Sequence, residues 1–99
     1  MADRHDFDYD SAAVRRAARQ VLNCAEIIAD GAQPKLRNIR GEVDDNIKGK
    51  AADALDDRLA DIDTDVRSII SGLRSLGNAL NSYAAALERT ARELAEALK

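Results

Sequence analysis

The chain has no tryptophan, and only one cysteine, one histidine and one proline in 99 residues; its aromatic residues are Phe7, Tyr9 and Tyr83 alone. The single cysteine, Cys24, excludes an intramolecular disulfide; it reads as a small buried or half-buried apolar residue beside a helix stripe, with a bond to another chain as the alternative. With His5 as the only histidine, one chain can assemble neither a Cys/His metal set nor a Ser/His/Asp arrangement. There is no glycine-rich phosphate loop. These absences predict a protein that is not an enzyme and holds no cofactor or metal. No long uninterrupted apolar run exists, which excludes a membrane-spanning helix, and the start "MADRHDFDYD" lacks the basic and apolar regions of a secretory signal peptide. The net charge of −3 argues against nucleic acid as a partner.

What the chain does have is helix formers in a strict period. From Ala52 to Leu94 one row reads Ala52, Leu59, Val66, Leu73, Leu80, Leu87 and Leu94, and a second row, three residues on, reads Leu55, Ile62, Ile69, Leu76 and Tyr83 before weakening at Thr90. Alternating steps of three and four put both rows on one stripe of a single long helix, wide enough to be a bundle seam. Val14, Ala18, Val21, Ala25, Ile28 and Ala32 follow the same rule, and the stripe resumes at Leu36, Ile39 and Val43.

The expected architecture is all-α: an acidic N-terminal tail over residues 1–10, then a helical hairpin over 11–99. Helix one spans about 11–43, with Asp10 or Ser11 as its N-cap, the turn about 44–49 and helix two about 50–98. Pro34 interrupts helix one, because it lacks an amide donor and its ring meets the carbonyl of Asp30. A kink near 31–34 is expected there, since the stripe continues beyond it; a break with restart at Pro34 is the alternative. At 1.5 Å per residue, helix one would be roughly 50 Å long and helix two roughly 70 Å. Two helices alone leave much of each stripe wet, because Leu22, Cys24 and Ile27 flank the row of helix one, and Ile70 and Ala84 to Ala86 flank those of helix two. A four-helix bundle with a partner hairpin is the economical answer. Gly72 and Gly77 lie inside helix two, each costing about 1 kcal/mol relative to alanine, either as tolerated flanking positions or a slight bend, or because a partner's backbone comes close.

Charge is segmental: −3 through Asp10, +4 over residues 11–41, −6 over 42–65 and +2 beyond. A basic helix one antiparallel to an acidic start of helix two is favourable, though exposed pairs contribute only about 0–1 kcal/mol each. Asp61-x-Asp63-x-Asp65 imitates the start of a calcium loop. It carries Val66 where that loop needs glycine, and Gly72 where it needs glutamate, so these acids read as a solvated face.

The hairpin dimensions, the mid-chain turn and the stretch Ile47-Lys48-Gly49-Lys50-Ala51-Ala52-Asp53-Ala54-Leu55 resemble the Trp-x-Gly (WXG-type, ESAT-like) family of small proteins of the bacterial type VII, or ESX, secretion system. Ile47 takes the tryptophan position and Leu55 the phenylalanine position of the family's pattern, so the turn motif is Ile47, Lys48 and Gly49. The family's export signal is a tyrosine followed four residues later by an acid. Here Leu87 stands in that place and Glu88 one step on, so Tyr83 and Glu88 form a degenerate version of it. The resemblance implies a bacterial protein that waits in the cytoplasm and is secreted without a cleavable signal peptide. Its partner would be itself, as a homodimer, or a related helical hairpin, as a heterodimer, or the N-terminal helices of a larger toxin that it helps deliver. The expected interface residues are Val14, Val21, Ile28, Leu59, Val66, Leu73, Leu80 and Leu87. The competing reading is a cytosolic coiled-coil adaptor or structural protein.

Overall fold

The computed structural model describes the backbone of residues 4–98 and the side chains of residues 10–98. It is an all-α helical hairpin: α1 runs Arg4–Asn46, α2 runs Lys50–Ala97, and Ile47, Lys48 and Gly49 join them. Among the described residues there is no strand.

The boundaries differ from the sequence expectation at two places. α1 starts at Arg4, not at Asp10 or Ser11, and Ser11 is a buried residue inside the helix. Nothing between Arg4 and Ser11 breaks a helix, and acids there suit the positive end of the helix dipole. The rest of the expected tail, residues 1–3, and the side chain of His5 lie outside the described residues. At its other end α1 continues through Asp44 and Asp45 to Asn46, because polar helix ends are satisfied locally. Asn46 Nδ2 donates to the Glu42 carbonyl at 2.9 Å, and Lys48 Nζ donates to the Asp44 carbonyl at 3.3 Å. The turn is therefore three residues long. Gly49 has φ +77°, a left-handed conformation that only glycine adopts cheaply, and its carbonyl accepts the Asp53 amide at 3.2 Å to open α2.

α1 passes through Pro34 without interruption, which excludes the break-and-restart alternative. The carbonyl that proline leaves without an amide belongs to Asp30, an exposed residue.

The chain divides into two compact units, one of residues 1–23 with 73–99, the other of residues 24–72. In the first, Ser11 and Ala18 of α1 and Gly77, Ala84 and Ala91 of α2 are buried. In the second, Ala25 and Val43 of α1 and Ala52 and Ile70 of α2 are buried. No large side chain is fully buried among the described residues. Small residues seven apart let helix backbones approach closely, and each contributes little apolar area.

Candidate interaction surface

Apart from Ala52 of the first row, the buried residues of α2 form a row of their own, Ile70, Gly77, Ala84 and Ala91, which is neither of the two rows that dominate the sequence. It lies four residues past the first row. A step of four turns a helix about 40° one way and a step of three about 60° the other, so the buried row and the second row straddle the first. The consequence is visible residue by residue. Leu59, Val66, Leu73, Leu80 and Leu87 are half-buried, while Leu55, Ile62, Ile69, Leu76 and Tyr83 are between 41% and 58% exposed. The expected seam of first and second rows is thus replaced within the chain by first and small-residue rows.

In the unit of residues 1–23 and 73–99, the reason is steric. A Cβ on Gly77 would stand 2.5 Å from Leu22 Cγ and 3.4 Å from the Ala18 carbonyl oxygen. The close approach that Gly77 permits comes from the chain's own first helix. Gly72, in the other unit, has open space around it. The sequence shows Ile70, Gly77 and Ala84 only as separate flanking positions, because alanine and glycine carry little hydrophobic signal; the spacing of seven from Ile70 through Ala91 is the sign that joins them into a row.

On α1, Val14, Val21 and Ile28 are half-buried, and Ala18 and Ala25 are fully buried. Leu22 is half-buried against Gly77, whereas Ile27 is exposed and so is Cys24, against the expectation of a buried or half-buried residue, because it falls outside the row of Ala18 and Ala25 that faces α2. Of the turn motif, Ile47 is half-buried, and Lys48 and Gly49 are exposed.

Tyr83 and Glu88 do not act as one group. Tyr83 is exposed in the second row, whereas Glu88 is gripped from α1 by Arg15, with Nε to Oε1 at 2.6 Å and Nη2 to Oε2 at 2.9 Å. That two-pronged hydrogen bond holds the Glu88 carboxyl below the usual carboxylate range and raises the Arg15 guanidinium. Near the turn the balance is reversed. Arg40 Nε reaches Asp56 Oδ1 only at 4.0 Å, and that oxygen is buried with no hydrogen-bond donor. The Asp44 carboxyl, with burial, pushes Asp56 up.

Among the described residues, no group of three or more His, Cys, Asp or Glu is arranged to hold a metal ion, and no helix is long and apolar enough to cross a membrane. The surface therefore consists of an exposed second row, a small-residue closure and ion pairs between helices. The second row keeps different company along α2. Leu55 and Ile62 are flanked by Arg58, Asp61 and Asp65, while Ile69, Leu76 and Tyr83 are flanked, apart from Asp65 beside Ile69, by Ser68, Gly72, Ser75, Ala79, Ser82 and Ala86.

No curated protein and no solved structure matches the chain. The family described as proteins of 100 residues with WXG, WXG100, matches residues 6–92. With that match over most of a two-helix hairpin joined at Gly49, the chain belongs to the WXG100 family of small helical proteins of type VII secretion.

Proposed function

We propose that this chain works by helix–helix pairing and has no catalytic activity of its own. Its exposed second row is covered by a second hairpin, another copy or a related chain, to give a four-helix bundle. In that form it is an exported type VII substrate, or the partner that delivers a larger toxin by covering the toxin's N-terminal helices. The observation that carries this reading is the exposure of all five large apolar side chains of the second row, Leu55 to Tyr83. Val14, Val21 and Ile28 and the first row, from Leu59 to Leu87, complete the apolar face as half-buried shoulders.

Magnitudes make the pairing plausible and easy to break. Covering a half-exposed leucine or isoleucine contributes on the order of 1 kcal/mol. Both partners bring such a row, against an association cost of about 4–15 kcal/mol. Small flanks beside Ile69, Leu76 and Tyr83 allow a partner helix to come close, and charged flanks beside Ile62 discriminate among partners.

Light scattering on the purified full chain, alone and after pull-down from its native host, tests the pairing. The expected mass is that of two or more hairpins, falling to one in the double variant Ile62→Asp, Ile69→Asp, with helicity by circular dichroism unchanged. A stable lone monomer under both conditions overturns the reading. Export is tested separately: deleting the secretion system's ATPase should remove the protein from the medium.

A second reading, a cytosolic coiled-coil adaptor, is favoured by one observation, the engagement of Glu88 by Arg15 in place of a free acid beside Tyr83. Protein confined to cells, with and without the ATPase, would select it.

A further inference from the structure

Within residues 24–72, a half-open groove of about 250 Å³ lies between the two helices, lined by Leu36, Arg37 and Arg40 of α1 and Leu59, Asp63 and Arg67 of α2. Around Leu59, Asp63 and Arg67 turn to one side and Leu55 and Ile62 to the other, since steps of plus four and plus eight rotate oppositely to plus three and minus four. The groove therefore opens on the flank of α2 away from the second row. It gathers three guanidinium groups in the part of the chain whose neighbouring segment, 42–65, sums to −6.

The arginines are unequally engaged. Arg67 Nε donates to Asp63 Oδ2 at 2.8 Å, which leaves its two outer nitrogens for another acceptor. Arg40 is held only loosely, 4.0 Å from Asp56. Arg37 has no hydrogen-bond or ion-pair partner among the described residues. We infer that this groove is a second docking site, independent of the second row, which takes an acidic side chain of a partner polypeptide between Arg37, Arg40 and Arg67, with that side chain's methylenes on Leu36 and Leu59.

Three considerations select this occupant. Asp63 holds Arg67 Nε, and Asp56, with Asp44 beside it, stands behind Arg40, so Arg37 and the outer nitrogens of Arg67 are the donors left, enough for a single carboxylate and too few for a phosphate dianion or a nucleic acid backbone. At about 250 Å³ the groove lies just below the range of about 300–1,000 Å³ typical of small-molecule pockets, a size that matches a single side chain. An exposed ion pair alone contributes about 0–1 kcal/mol, so a free carboxylate would not stay. A carboxylate carried on a peptide gains the leucine contact and a high effective concentration. The second row takes no part and Leu59 is the one residue shared with the pairing face, so Arg37→Gln tests this inference and Ile62→Asp with Ile69→Asp the pairing, and the two can fail separately.

The test follows the arginine Nε–Hε NMR signals of the full chain during titration with a blocked pentapeptide carrying one glutamate between two leucines. The signals of Arg37, Arg40 and Arg67 should move together and saturate. Binding should weaken about fivefold in Arg37→Gln, as expected for one lost charge-assisted contact at a partly exposed site, and stay unchanged in Arg16→Gln. Equal binding of the glutamine version of the peptide would overturn the inference by reducing the groove to an apolar patch. Tighter binding of inorganic phosphate to the same three arginines would overturn it by making the groove a small-anion site. Uniform movement of all arginine signals, or none, would overturn it as well.

Discussion

The two units of the hairpin close their helices by different means. In residues 1–23 with 73–99 the buried positions are Ser11, Ala18, Gly77, Ala84 and Ala91, and the ion pair across the helices, Arg15 with Glu88, is short and two-pronged. In residues 24–72 the buried positions include the larger Val43 and Ile70, the corresponding pair stretches to 4.0 Å, and a carboxylate oxygen is buried without a donor. The unit whose buried residues are all small is also the one in which a guanidinium grips a carboxylate from the opposite helix. The unit that also buries Val43 and Ile70 is the one with the 4.0 Å pair and the unpartnered Asp56 oxygen. One heptad pattern thus supports a tight closure and a looser one.

The two glycines of α2 sharpen this contrast most. Alanine at either position recovers about 1 kcal/mol of helix propensity. At Gly77 the added methyl meets Leu22 Cγ at 2.5 Å, and the overpacking cost of about 1–3 kcal/mol outweighs that gain. Gly77→Ala should lower the melting temperature, and Gly77→Val should lower it further. At Gly72 the space is open, so Gly72→Ala should raise the melting temperature by the propensity gain. Calorimetry on the pair decides the matter: a stabilising Gly77→Ala would mean that close backbone approach does not hold this unit together.

Much of this fold is legible in the sequence. The stripe of Val14, Ala18, Val21, Ala25 and Ile28 faces inward on α1, and the turn falls at Gly49, whose positive φ explains why glycine stands there. The choice between rows on α2 was not legible. Leucine and isoleucine make the first and second rows prominent in any hydrophobicity pattern, yet burial within the chain follows how closely two backbones can approach, which favours Gly77, Ala84 and Ala91. The start of α1 was hidden for a related reason, because residues 4–10 continue the helix without an apolar period. The groove of Arg37, Arg40 and Arg67 was hidden by distance along the chain, since its two walls come from different helices.

The ion pairs offer a smaller handle on the same comparison. Glu88, held below its ordinary range by hydrogen bonds from Arg15, contributes stability that is present above the unfolded carboxylate pKa and is lost as pH falls through the lower folded value. Arg15→Gln should therefore lower stability at neutral pH and flatten the acid limb of the stability curve, as read by chemical denaturation at a series of pH values. An unchanged acid limb would show that the grip of Arg15 on Glu88 carries no weight in solution.

Asp56 should behave in the opposite sense, and with the smallest effect. Its carboxyl, raised by Asp44 and by burial, is penalised when ionised in the folded chain, so its cost is present at neutral pH and is relieved as pH falls through the raised folded value. Arg40, 4.0 Å away, opposes this shift, and Asp53 adds to it. Asp56→Asn removes the charge and supplies a donor for the Asp44 carboxyl, so it should stabilise the chain at neutral pH, with the gain shrinking toward acid. Denaturation curves of the two proteins that converge on acidification would locate the unmatched carboxylate in residues 24–72. Parallel curves would mean that water reaches the Asp56 oxygen in solution, and the looser closure would then be free of electrostatic strain.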